Sequence, residues 1–377
     1  GVARTMGILP RTLTDMIDWR VFAWVGNDKA SQNLDDSELE YFMTGRVRFG
    51  IVGIGNIGTR HIPQAERFGE LVAICDVNEA KLEPYNNSNV QQFNSIEAML
   101  GSMAAELDVV SICTPNGMHC QNAIQVLDAG CHVLCEKPMA LSSKDCGAMI
   151  TAAEKNNRRL FVVKQNRYNP PVVAVKKLLD SGDLGKVLSA HLNCFWNRNE
   201  GYYSNSWKGS NDLDGGCLFT QFSHFIDLLY WMVGDVVEAF GFSNNAVHGD
   251  MIEFEDQGVV SLRMENGVLG AISFSINSFA QNMEGSLVLF CEKGTVKIGG
   301  QYLNELEYQS IENSQIEDIK VVDKSNDYGT YKGSMSNHDF VYENLADVLQ
   351  NGGVIGTSGF EGLKTVEIIE KIYRAIR

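Results

Sequence analysis

At 377 residues, 44% of them hydrophobic, with a formal net charge of −16, the chain suits a globular protein of two domains. The acidic balance argues against non-specific binding to nucleic acid or to an anionic membrane, and no apolar run approaches the ~18 residues of a spanning helix. The N-terminus lacks a basic stretch followed by an apolar one. Nine scattered cysteines without a CxxC pair, and seven dispersed histidines, predict a cytoplasmic protein with reduced thiols and no metal site.

Residues 1–45 come first and show no clear period. They fit a remnant of expression, a misassigned start (Met43 lies just before the first strand) or an arm that packs on another subunit. Val47–Val52 then reads as a buried parallel strand, followed by the glycine turn "GIGNIG" and a helix from Ile57 to Phe68 that contains Pro63. A second strand, Leu71–Cys75, ends at Asp76, which lies 18 positions beyond Gly58. Strand, glycine turn, helix, strand and acid together predict a dinucleotide-binding fold. Gly53 permits the tight turn, Gly55 lets the backbone approach a pyrophosphate, and Gly58 lets helix and strand pack. The helix N-terminus, opened by Asn56 and Ile57, offers free N–H groups to phosphate. Asp76 is placed to accept from the ribose hydroxyls and repel a 2′-phosphate, which favours NAD as the cofactor.

The alternation continues. Strands are expected at Leu107–Cys113, Cys131–Cys135 and Leu160–Lys164, with helices at Met118–Ala129 and Ser142–Asn156. A doubly wound parallel sheet follows from that order. Its strand ends carry "TPNGMH" and "EKP", so Thr114, Pro115, Asn116, His119, Glu136 and Lys137 fall on the cofactor side. Arg60 and His61 can approach the ligands or pair structurally.

After a helix at Pro171–Ser181, six β-patterned runs between Val187 and Ile298 predict a large open, mostly antiparallel sheet. One helix, Gly216–Met232, interrupts it. The polar stretch from Asn304 to Gly329 reads as a long exposed excursion. Two helices, His338–Leu349 and Gly359–Ile376, return to pack near the first domain. The α/β chain thus divides into a Rossmann domain at 46–165 and a substrate and oligomerisation domain at 166–377. Polar donors in "QNRYNPP" (Arg167, Tyr168 and Asn169 among them) suit a sugar or diphosphate, or form a polar loop initiated by Asn-Pro. Trp196, Tyr202, Tyr203 and Trp207 offer rings for stacking or for packing.

The stretches "GIVGIGNIGTRH", "SICTPNGMHCQNA", "HVLCEKPMA" and "LDGGCLFTQFSHFIDLLYWMVGD" resemble the Gfo/Idh/MocA family of glucose–fructose oxidoreductase, inositol dehydrogenase and their relatives, over about residues 46–377. The resemblance implies that Lys137 sits beside the nicotinamide and the reacting sugar hydroxyl, and that His224 serves as acid/base. Many members carry Asp four residues before that His. Here the position is Thr220, while Asp227 is retained; both are placed near the substrate. The runs "TQFSHFIDLLYW" and "KQNRYNPPV" look like the branch that oxidises C3 of UDP-N-acetylglucosamine or its uronic acid for lipopolysaccharide sugars. Free-sugar or inositol oxidation, and a non-catalytic NAD-sensing regulator, are the alternatives. A small-molecule sugar or nucleotide-sugar partner and a homodimer or homotetramer are implied.

Overall fold

The computed structural model describes residues 45–204, 206–317, 319, 325–329 and 331–377, so the expectation for the N-terminal extension lies outside the described residues apart from Gly45. The first sheet is built from β1 (Val47–Val52), α1 (Gly58–Phe68), β2 (Gly69–Cys75), β3 (Gln91–Phe93), α2 (Ile96–Met103), β4 (Val109–Ile112), α3 (His119–Asp128), β5 (His132–Cys135), α4 (Ser143–Lys155) and β6 (Leu160–Val162). Its six strands are all parallel, in the order β3-β2-β1-β4-β5-β6. β4 and β6 are buried along their whole length, as strands covered by helices on both faces must be. Strand order reverses between β1 and β4, and open α/β sheets bind ligands beyond the carboxyl ends at such a point. The sequence patterns missed β3 and α2. That helix is capped by the Ser95 hydroxyl, which accepts from Ala98 N at 3.1 Å, and it buries Ile96, Met99 and Met103.

The second sheet follows α5 (Pro170–Ser181). It comprises β7 (Val187–Phe195), then α6 (Glu200–Tyr203), α7 (Cys217–Thr220) and α8 (Ser223–Val233), then β8 (Val236–Asn244), β9 (Gln257–Met264), β10 (Leu269–Ser275), β11 (Glu284–Cys291), β12 (Gly294–Gly299) and β13 (Glu305–Ile311). The order is β13-β12-β11-β7-β10-β9-β8, with every pair antiparallel except β7 and β10. Burial alternates along β9, so one face (Val260, Leu262) joins the core and the other faces outward. Phe240, Phe242, Val259 and Leu269 are exposed on that outer face.

Two expectations are corrected here. The single helix over Gly216–Met232 is broken into α7 and α8 at Gln221 and Phe222, and this turns Gln221 toward Arg198. The stretch from Asn304 to Gly329 is not wholly an excursion. β13 pairs with β12 as an edge strand whose charged residues stay in solvent, and β14 (Ser325–Asp327) pairs with β15 (Lys332–Met335).

The last helices, α9 (His338–Asn351) and α10 (Gly359–Ile376), return to the first sheet. Tyr342 of α9 shares a 2.9 Å hydrogen bond with Ser111 of β4. α10 opens on a capping box of Ser358 and Glu361, the S-x-x-E signature of "SGFE". Ser143 donates to Glu370 through N at 3.1 Å and Oγ at 2.7 Å, while Ser243 Oγ of β8 donates to Ile376 O at 3.0 Å. One helix therefore braces both sheets. Among the described residues no helix is long and apolar enough to cross a membrane, and all nine cysteines are free.

Candidate active site

The chain turns sharply after β1 because its backbone has nowhere else to go. Gly53 N donates to Cys75 O at 2.8 Å, and Gly53 adopts φ +92°. A Cβ on Gly53 would stand 2.6 Å from Cys113 O, and one on Gly58 1.9 Å from Gly53 O. These two glycines are demanded by the fold itself. Gly55 differs, since a Cβ there would meet no atom within 4 Å. The empty space beside its backbone, at the mouth of α1, fits a dinucleotide's pyrophosphate. Asp76 is buried at the end of β2. Its carboxylate accepts from Ile54 N at 2.8 Å, Asn78 N at 2.9 Å and Lys81 Nζ at 3.2 Å, which fixes its direction beside the turn.

A cavity of about 500 Å³ opens beyond the strand ends. Gly55, Asn56 and Ile57 line it from the turn, Thr114, Asn116 and His119 from the segment after β4, and Glu136 and Lys137 from the segment after β5. Lys137 Nζ donates to Thr220 O at 2.9 Å. Burial pulls its ammonium down to about 8 against the opposing pull of Glu136. His224, on α8, is buried and lines the same cavity. Its Nε2 lies 3.1 Å from the Gln165 amide, and its Nδ1 has no hydrogen-bond partner in the protein. Burial, then the nearby Lys137, hold its pKa well below the usual histidine range, so the ring is neutral. Thr220 and Asn116 meet directly, Asn116 Nδ2 donating to Thr220 Oγ1 at 2.7 Å.

Other residues singled out from sequence have structural partners. His119 Nδ1 and Nε2 face Pro138 O at 2.7 Å and Thr114 O at 2.9 Å, so the imidazole ties the two strand-end segments together. Glu136 Oε1 lies 2.9 Å from His61 Nε2 and 3.2 Å from His338 Nε2, and those partners hold its carboxyl well below the usual range. His61, Glu136 and His338 together form a group able to ligate a cation, although these hydrogen bonds already account for them. Arg167, Tyr168, Asn169 and Asp227 do not line the cavity. Arg167 and Asp227 form a bidentate buried pair at 2.8 Å, joined by Lys164 and Glu361. Tyr168 stacks on Phe340, and Asn169 donates to Tyr302 O and Leu303 O at 3.0 Å. These contacts hold the segment after β6 in place.

The opposite wall was only partly visible in the sequence. Trp196, Arg198, Tyr202, Trp207 and Lys208 line it together with Tyr328 and Tyr331. Arg198 is buried, with its guanidinium carbon 4.9 Å from the Trp196 ring centre and 5.0 Å from that of Tyr202. Lys208 Nζ lies 4.0 Å from the Tyr202 ring centre. Two cations on a floor of aromatic rings suit an anionic group beside a flat ring. The β14–β15 hairpin reaches across to the turn: Arg60 donates to Asp327 O at 2.6 Å and lies over Tyr328, and Asn56 meets Tyr331 Oη at 3.5 Å.

Residues 47–164 match the "Oxidoreductase family, NAD-binding Rossmann fold" profile, and residues 172–297 match the GFO/IDH/MocA C-terminal domain. The WlbA dehydrogenase of Bordetella pertussis, solved with NADH and UDP-GlcNAcA, is 34% identical over 88% of this chain and 96% of that one, with a TM-score of 0.79. The WlbA dehydrogenase of Chromobacterium violaceum, solved with the same two ligands, is 31% identical over 88% and 94%, with a TM-score of 0.80. Inositol 2-dehydrogenase of Salmonella typhimurium is 28% identical over 197 residues, which are 50% of this chain and 55% of that enzyme. The chain thus spans about half the length of the curated inositol dehydrogenases it matches. It belongs to the GFO/IDH/MocA oxidoreductase family and carries that family's NAD-binding Rossmann domain.

Proposed function

We propose that the chain is an NAD-dependent dehydrogenase that oxidises a secondary hydroxyl of a UDP-linked N-acetylamino sugar or its uronic acid, at C3. The observation that carries this reading is the shared cavity. The glycine turn, Lys137 and His224 line it together with the cationic, aromatic wall of Arg198, Lys208 and Tyr202. The first group suits hydride chemistry, and the second suits a nucleotide diphosphate. The two WlbA neighbours, solved with UDP-GlcNAcA, support it.

When bound, the nicotinamide cofactor accepts hydride. Gly53, Gly55 and Gly58 would shape the backbone cradle for its pyrophosphate, and Asp76 would accept from its ribose hydroxyls. The Lys137 ammonium, held by Thr220 O, stabilises negative charge developing on the sugar oxygen. Neutral His224 presents an imidazole nitrogen to that hydroxyl and orients it. The exposed aromatic face of the second sheet, around Phe240 and Phe242, supports association of two or four copies of the chain.

The test is NADH formation by the purified protein with UDP-GlcNAc, UDP-GlcNAcA, free N-acetylglucosamine and inositol. Turnover confined to inositol would favour the reading suggested by the Salmonella enzyme. Tight NAD binding with no turnover on any sugar would favour a regulator.

A further inference from the structure

The Thr220 hydroxyl offers the proton of the oxidised hydroxyl a route beside the His224 imidazole. His224 is costly to protonate because it is buried beside Lys137. Glu136 is held low by two histidines. Lys137 already donates to Thr220 O.

Behind Thr220, however, stands a further carboxyl. Asp214 is 1% exposed. Its Oδ1 accepts from Thr220 Oγ1, and its Oδ2 accepts from Gly209 N at 2.8 Å. Lys208 and Lys137 are cations that act on it, and Thr220, Gly209 and Gly216 are its donors. Despite them, burial pushes its carboxyl up to about 6, within reach of neutral pH. Thr220 lines the cavity and also accepts from Asn116 Nδ2, so its hydroxyl hydrogen is directed to Asp214.

We propose that Asp214 is a positioning residue that acts through the Thr220 hydroxyl and takes the proton released when the sugar alcohol is oxidised. The carbinol hydride leaves with its electron pair for the nicotinamide. The hydroxyl proton passes to Thr220 Oγ1 as the threonine's own proton passes to Asp214 Oδ1. The products are a ketone, a reduced cofactor and a neutral Asp214 carboxylic acid. Lys137 can then remain an ammonium throughout, as its electrostatic role requires.

This inference rests on the dehydrogenase reading. Its test compares Asp214→Asn, Thr220→Val and Thr220→Ser with the unaltered protein in single turnover, with NAD affinity and melting temperature measured alongside. Asp214→Asn and Thr220→Val should each lower turnover by ~10²–10³ with little change in sugar KM. Thr220→Ser, which keeps the hydroxyl, should stay within about threefold, and the double variant should be no worse than the worse single one. Infrared difference spectra on adding sugar to the NAD-loaded protein should show a new carboxylic acid band that Asp214→Asn removes. Should Asp214→Asn fail to fold, the valine and serine variants decide, since neither removes the Gly209 bond. Folded Asp214→Asn with normal turnover, or equal losses in Thr220→Ser and Thr220→Val, would overturn the inference alone. No NADH from the unaltered protein with any sugar would sink the dehydrogenase reading together with it.

Discussion

The two walls of the cavity are made in opposite ways. The wall beside β1 is mostly backbone, a turn with one glycine at φ +92° and another without room for a Cβ, packed on the segment after β4. The facing wall is mostly side chain, with Arg198, Tyr202 and Lys208 on one excursion and Tyr328 and Tyr331 on a hairpin more than a hundred residues later. A backbone wall recognises what every dinucleotide shares, and only its glycines show in sequence. A side-chain wall can change its ligand by substitution while leaving the sheets intact. Cofactor binding and substrate choice should therefore respond to separate mutations.

The largest break in that comparison should come at the seam. Lys137→Ala should lower single-turnover NADH formation by ~10²–10⁴ while leaving the NAD dissociation constant nearly unchanged, because alkoxide stabilisation is felt in the transition state. Retained turnover would remove Lys137 from the chemistry.

A smaller effect should confine itself to the side-chain wall. Arg198→Ala or Lys208→Ala should raise KM for the UDP-sugar by ~10–100-fold, the scale of losing a charge-assisted contact, with cofactor affinity intact. An equal loss with a free sugar would show that neither residue reads the diphosphate.

The backbone wall can be dissected by its glycines. Gly55→Ala should leave the melting temperature close to normal, since its Cβ meets nothing, yet weaken NAD binding. Gly58→Ala should lower both, because its Cβ would fall 1.9 Å from Gly53 O. Calorimetry on the pair separates a cradle for the cofactor from a packing requirement. Normal NAD affinity in Gly55→Ala would remove the pyrophosphate from that spot.

The smallest expected change is in pH dependence. With the Lys137 ammonium lowered to about 8, the charged form is lost as pH rises through that value, so turnover should decline above it. Lys137→Arg, if active, should remove this limb, since guanidinium stays protonated. A limb unmoved by the substitution would belong to another group.

Much of this was legible in the chain. The run Val47–Val52, the three glycines and Asp76 announced the first sheet, because a buried parallel strand reads as continuous apolar sequence and a tight turn needs glycine. Lys137 stood out by its place at a strand's carboxyl end, whereas the acid/base role of His224 came only through family resemblance, since a lone histidine has no period to mark it. Local pattern fixed most strands of the second sheet but not the parallel pairing of β7 with β10, a long-range choice of neighbour. It also placed Arg167, Tyr168 and Asn169 near the substrate, as the resemblance placed Asp227. Only packing showed Arg167 paired with Asp227 and Glu361, because a buried guanidinium needs carboxylate partners that lie far along the chain. Sequence set the turn that fits a dinucleotide. Tertiary structure alone brought the Tyr328–Tyr331 hairpin across from Asn56, since a contact so distant along the chain exists only once both sheets have folded.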